Sequence, residues 1–189
     1  MSITGPLARP DPLRRMLVAG LALAPLGLAR PARAAAGEER VLEFRHTHTD
    51  ERLSIAYFAR GAYLPASLDR IERLLRDVRT GEVHAIDPRL LDTLHALRAA
   101  CGGGTFEIIS GYRSPKTNAM LRSTGGGGVA QRSLHMDGRA IDVRLAGVST
   151  ARLRAAAVAL GRGGVGYYPE SDFVHLDTGA VRAWGRRAA

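Results

Sequence analysis

The run Ala140-Ile141-Asp142-Val143-Arg144-Leu145 sets a carboxylate between two β-branched apolar residues. No other feature limits so strongly what this chain can fold into. Alternation along a strand sends Asp142 to the face opposite Ile141 and Val143. Taking a carboxylate out of water is costly unless it is paired, hydrogen-bonded or bound to a metal. The fold must therefore bring Asp142 a guanidinium such as Arg113, Arg139 or Arg144, a set of hydrogen-bond donors, or a metal ion with further ligands.

Two histidines are placed to supply that last option. "DFVHLDT" reads as a second strand, with Phe173, His175 and Asp177 on one face and Val174 and Leu176 on the other. His135 lies in the loop seven residues ahead of Asp142. Two imidazoles and a carboxylate suit zinc and leave a fourth position for water. Taken singly, each has a plainer reading: His135 as a loop histidine, His175 as a hydrogen-bonded core residue. The thiolates usual in closed structural zinc sites are missing, since Cys101 is the chain's single cysteine. It permits no intramolecular disulfide and reads as a small buried residue at a helix end. The pair His46 and His48 reads as an exposed strand feature.

Periodicity supplies the rest of the layout. Residues 40 to 66 alternate as short strands and turns. Ser67 is a candidate cap for a helix carrying Leu68, Ile71, Leu74 and Leu75, ending near Thr80-Gly81. Asp87-Pro88 opens a second helix with Leu90, Leu91, Leu94 and Leu97 on one face. "TFEIIS", "RAIDVRL" and "GGVGYY" are further strands, and a third helix runs from Ser149 to Leu160. Between them, "GYRSPKTNAMLRSTGGGGVAQRS" reads as a long polar loop of the kind that carries functional residues. Its Gly125-Gly126-Gly127-Gly128 run is either a mobile rim or a plain spacer. The predicted class is α+β, with helices packed on one face of a small, mainly antiparallel sheet.

The N-terminus is expected to lie outside that fold. Arg14-Arg15, an apolar run from Met16 to Leu28, and Ala32-Arg33-Ala34 have the layout of a secretory signal peptide. The adjacent arginines suggest a twin-arginine signal, and the apolar run is short for a membrane span of about 20 residues. Cleavage after Ala34 leaves residues 35–189 as a single domain with no stable membrane insertion. It removes five Arg and one Asp, which lowers the net charge from +9 to +5. Nucleic acid is not an expected partner. The basic residues are scattered, all but Lys116 are Arg, and aromatics make up only 5%. An exported, modestly basic protein is drawn instead to an anionic cell wall.

"SGYRSPKTN", "SLHMDGRAIDV" and "FVHLDTG", in this order, resemble the motif set of the zinc D-alanyl-D-alanine peptidases, a superfamily that also holds VanX-type dipeptidases and the Hedgehog signalling domain. The chain is most similar to the MepK-like murein endopeptidases, whose N-terminal half is echoed by "GAYLPASLDRIERLLRDVRTGEVHAIDPRLLDTLHAL". The resemblance implies zinc bound by His135, Asp142 and His175. It further implies Asp172 as general base on the zinc-activated water, where several relatives carry Glu, and Arg113 facing the substrate carbonyl or carboxylate. Ser133 is expected to line the same cleft, and Asp177 to orient a histidine ligand. The implied function is that of an exported, periplasmic, monomeric endopeptidase cutting the peptide cross-links of peptidoglycan. The alternatives are a D-alanyl-D-alanine carboxypeptidase and a non-catalytic wall-binding module that keeps the zinc.

Overall fold

Alternating burial builds the first sheet strands. The computed structural model describes residues 1–2, 38–124 and 130–185, so the proposed leader and the Gly125–Gly128 run lie outside the described residues. The chain divides into Met1–Ala34 and Ala35–Ala189, and the second unit is described here. In β1 (Arg40–His46), Leu42, Phe44 and His46 turn inward. In β2 (Arg52–Ala59), Ile55 and Tyr57 do the same, and a short β3 (Ala62–Tyr63) completes a meander.

Helix α1 (Pro65–Leu74) begins two residues before Ser67, because Pro65 at its first turn needs no N–H partner there. It also ends earlier than its periodicity suggests. The Asp77 carboxylate and carbonyl accept the Arg79 and Gly81 N–H groups, which turns the chain out of the helix. Helix α2 (Pro88–Cys101) starts where predicted, with Asp87 accepting the Arg89 N–H at 3.0 Å. Leu90, Leu91, Leu94 and Leu97 are fully buried along it, and Cys101 is buried at its end.

Strand β4 (Phe106–Ser110) leads into the stretch read as a loop, and here the expectation fails. Residues Pro115–Thr124 form a helix, α3. Ser114 caps it by accepting the Thr117 N–H at 3.2 Å. Few apolar residues mark its inner face, so periodicity conceals it, although Ser-Pro at its start is an N-terminus signal. Strand β5 (Ala140–Leu145), helix α4 (Thr150–Leu160, capped by Ser149), β6 (Gly164–Tyr168), β7 (Phe173–Asp177) and β8 (Arg182–Gly185) follow.

All eight strands join one open sheet in the order β3-β2-β1-β4-β5-β7-β6-β8. Only β1–β4 and β6–β8 pair in parallel. The class is the expected α+β, on a sheet wider than predicted. Ile141, Val143, Val174 and Leu176 face the core that α1, α2 and α4 close with their leucines. The opposite face of β5 and β7 is left for polar chemistry. No helix among the described residues is long and apolar enough to cross a membrane.

Candidate metal centre

Strand register places the first two ligand candidates side by side. Asp142 on β5 is the direct antiparallel partner of His175 on β7. The Asp142 Oδ1 lies 2.8 Å from His175 Nδ1. His135 arrives on a 3-10 turn, Leu134–Asp137, and is 2% exposed. Its Nε2 is 3.4 Å from Asp142 Oδ1 and 3.2 Å from His175 Nδ1. One ligand atom from each of the three residues lies within 4.8 Å of the others.

The remaining ring nitrogens decide what those atoms offer. His135 Nδ1 is 2.7 Å from the Gly111 carbonyl, which can only accept, so that nitrogen carries the proton and Nε2 presents a lone pair. His175 Nε2 donates to Asp177 Oδ2 at 3.1 Å, leaving Nδ1 as the lone-pair nitrogen of the neutral ring. Two imidazole lone pairs and a carboxylate oxygen therefore converge on one point. Such an arrangement repels itself unless a cation occupies it.

The charges respond accordingly. Burial disfavours the His175 imidazolium, but hydrogen bonds to Asp142 and Asp177 outweigh it and push the pKa up to about 9. Burial likewise works against the Asp142 carboxylate, and His135 and His175 overcome it, holding Asp142 well below the usual carboxylate range. A proton on His175 Nδ1 is thus the metal-free solution, and a divalent ion would displace it. The donor set fits zinc: borderline nitrogen ligands plus one carboxylate, with a side open to the cleft.

Supporting contacts hold the candidate ligands in place. Asp177 accepts from the Gly164 and Gly179 N–H groups at 3.1 and 2.8 Å, and from Arg182 Nη2 at 2.7 Å. The Gly111 carbonyl is set by a close crossing of two loops, where Tyr112 N–H donates to Leu75 O at 2.7 Å. A Cβ on Gly111 would stand 2.5 Å from that same Leu75 oxygen, so the crossing requires glycine.

A cavity of about 440 Å³ opens over the cluster, bordered by Ser133, Arg113, Tyr168, Phe173 and Trp184. A second of about 230 Å³ shares Arg113, Asp142 and Phe173 with it and extends toward Arg79 and His46. The two cavities adjoin as lobes at these shared residues; of the candidate ligands only Asp142 borders both, while His135 and His175 border the first. Arg113 stands at the junction, largely buried, with Nη2 3.6 Å from Asp142 Oδ2 and 3.4 Å from Ser110 Oγ. These contacts occupy few of its five N–H donors.

Asp172 is engaged by other partners. It follows the turn Pro169–Ser171 in a left-handed conformation (φ 50°). Its carboxylate accepts from Arg144 at 3.0 Å and Thr150 at 3.1 Å, and it does not line the cleft. Arg144, its partner, lies two residues along β5 from Asp142. His46 also departs from expectation: it is buried, in phase with Leu42 and Phe44, and burial lowers its pKa. Its Nδ1 accepts the His48 N–H at 3.2 Å.

Trp184 and Arg182 went unrecognised in the sequence. They belong to β8, too short and polar to read as a strand. The signal available was a lone tryptophan: its indole packs 5.2 Å from the His175 ring, over Gly166, where a Cβ would come within 2.7 Å of it.

Residues 34–184 match the family model described as peptidoglycan L,D-endopeptidase MepK. The probable peptidoglycan L,D-endopeptidase MepK of Haemophilus influenzae is 44% identical over 147 residues, covering 77% of this chain and 78% of the relative. The peptidoglycan L,D-endopeptidase MepK of Escherichia coli K12 is 38% identical over 179 residues, covering 92% and 98%.

Proposed function

The chain belongs to the peptidoglycan L,D-endopeptidase MepK family, and from that premise we propose that it is an exported zinc enzyme hydrolysing peptide cross-links of peptidoglycan in the periplasm. The observation that carries this reading is the convergence of two imidazole lone pairs and a carboxylate at the base of a cavity that Arg113 and Ser133 also border. In this reading His135, Asp142 and His175 hold zinc, and residues 1–34 are the cleaved leader that directs export.

Zinc bound there would supply Lewis acidity, activating water near neutral pH and polarising a peptide carbonyl. The protein's own part is orientation and charge. Gly111 and Asp177 keep the two imidazoles in the tautomers that leave their inward nitrogens free. Arg113 faces the same space with unused donors, suited to the oxygen on which negative charge develops. Ser133 borders the substrate's path. The match to L,D-endopeptidases over most of the chain favours an endopeptidase over a carboxypeptidase.

We further propose that Asp172, whose carboxylate is engaged by Arg144 and Thr150, takes no proton in this scheme. Replacing Asp172 by Ala is expected to change kcat by less than about threefold. Loss of a general base costs on the order of 10²-fold or more, and a drop of that size would restore Asp172 to the role.

The function is tested on purified peptidoglycan, with the zinc-loaded protein and with chelator present, by resolving the released fragments by chromatography and mass spectrometry. The expected result is chelator-sensitive loss of cross-linked species. Release of terminal D-alanine alone would indicate a carboxypeptidase. No release by folded, zinc-containing protein would leave a wall-binding module.

A further inference from the structure

The second lobe holds a charge that the hydrolytic scheme leaves unused. Arg79 is exposed at its border, and among the described residues its guanidinium has no carboxylate within ion-pair distance. Its neighbour Arg76 differs, being held by Glu51 through bonds of 2.7 and 2.9 Å.

The position of Arg79 is built. Buried Asp77 accepts the Arg79 N–H through Oδ1 and the Ser114 N–H through Oδ2, both at 2.9 Å. One carboxylate thus fixes the backbone at Arg79 and at the residue following Arg113. Both guanidiniums border the same lobe, and the charge of Arg79 works against that of Arg113. The acids on that lobe are Asp77, taken up by backbone N–H groups, and Asp142, which zinc would engage. Two like charges whose backbones share one carboxylate bracket, beside the candidate metal centre, make a place for an anion.

We propose that Arg79 is a specificity-determining residue that takes a free carboxylate on the peptide strand lying in the second lobe, while Arg113 beside it keeps its place at the reacting oxygen. The inference rests on the reading of the cleft as a cross-link endopeptidase site. It implies discrimination between strands whose side-chain carboxyl is free and strands in which it is amidated.

The test uses two synthetic cross-linked peptides that differ only in a carboxylate or a carboxamide on one strand. The zinc-loaded wild type is compared with Arg79→Gln and Arg79→Lys, by kinetics and by equilibrium binding. Wild type should favour the carboxylate by about tenfold, the scale of a charge-assisted hydrogen bond at a partly open site. Arg79→Gln should lose that preference through KM, keeping kcat on the carboxamide peptide, and Arg79→Lys should retain part of it. A wild type indifferent to the carboxylate, or an Arg79→Gln variant weakened equally on both peptides, overturns the proposal. If neither peptide is cut, the endopeptidase reading fails, while the binding comparison still decides Arg79: carboxylate preference present in wild type and lost in Arg79→Gln upholds the anion site, and no preference removes it.

Discussion

Asp142→Asn is expected to remove tight zinc binding and to lower peptidoglycan cleavage by on the order of a thousandfold. The replacement keeps the shape of the side chain and removes the only anionic donor of the trio. Asp142 holds His175 at 2.8 Å and stands 3.4 Å from His135 Nε2, so one neutralised group weakens the whole donor set. The several kcal/mol of transition-state stabilisation that a metal supplies convert to about three decades of rate. Metal content after dialysis, measured beside turnover, separates this from a folding defect. Full zinc occupancy in the variant, with activity unchanged, would show that Asp142 is buried for a structural reason alone.

Gly138→Ala is the second large expected effect, and it acts through the backbone. Gly138 has φ 64° at the end of the 3-10 turn that carries His135. A Cβ there would lie 1.9 Å from the Ala85 carbonyl oxygen, so either residues 84–87 or the His135 turn must move. The left-handed conformation and the collision together are expected to destabilise the fold by about 3 kcal/mol. For a protein of this size that lowers Tm by roughly 6–12 °C. Zinc affinity should fall with it, because His135 is displaced. Gly161 is the internal control. It has φ 61°, but nothing lies within 4 Å of an added Cβ, so Gly161→Ala should cost only about 1–2 kcal/mol and spare zinc binding. Equal Tm shifts in the two variants would mean that the approach to Ala85 is easily relieved.

The structure bears out one part of the reading made from residue order and corrects another, and the division follows the range of the interactions. Helix α2 was legible at both ends because Asp87, Pro88, four spaced leucines and Gly102 act within a few residues of one another. The shared face of Asp142 and His175 followed from alternation, since each stands opposite apolar neighbours on its own strand. The early end of α1 was not legible. The Asp77 carboxylate that takes the Arg79 N–H there is also held by the Ser114 N–H, 37 residues away, and on the local scale alone Arg76 to Thr80 could equally continue the helix. Helix α3 was missed because it buries little apolar surface and so leaves no periodic mark.

By itself, then, the order of residues determined the strands and helices with strong periodic faces, the ligand trio His135, Asp142 and His175 as candidates, and the family resemblance of the motifs around them. The tertiary structure decided which of those candidates meet. It set His135 and His175 in complementary tautomers through Gly111 and Asp177, paired Asp172 with Arg144, and brought Trp184 to one lobe of the cleft and Arg79 to the other. Pattern reports the direction a side chain takes from its own element. Contacts between elements depend on register and on loop crossings such as Gly111 over Leu75, where packing alone selects among arrangements that the local sequence leaves equal.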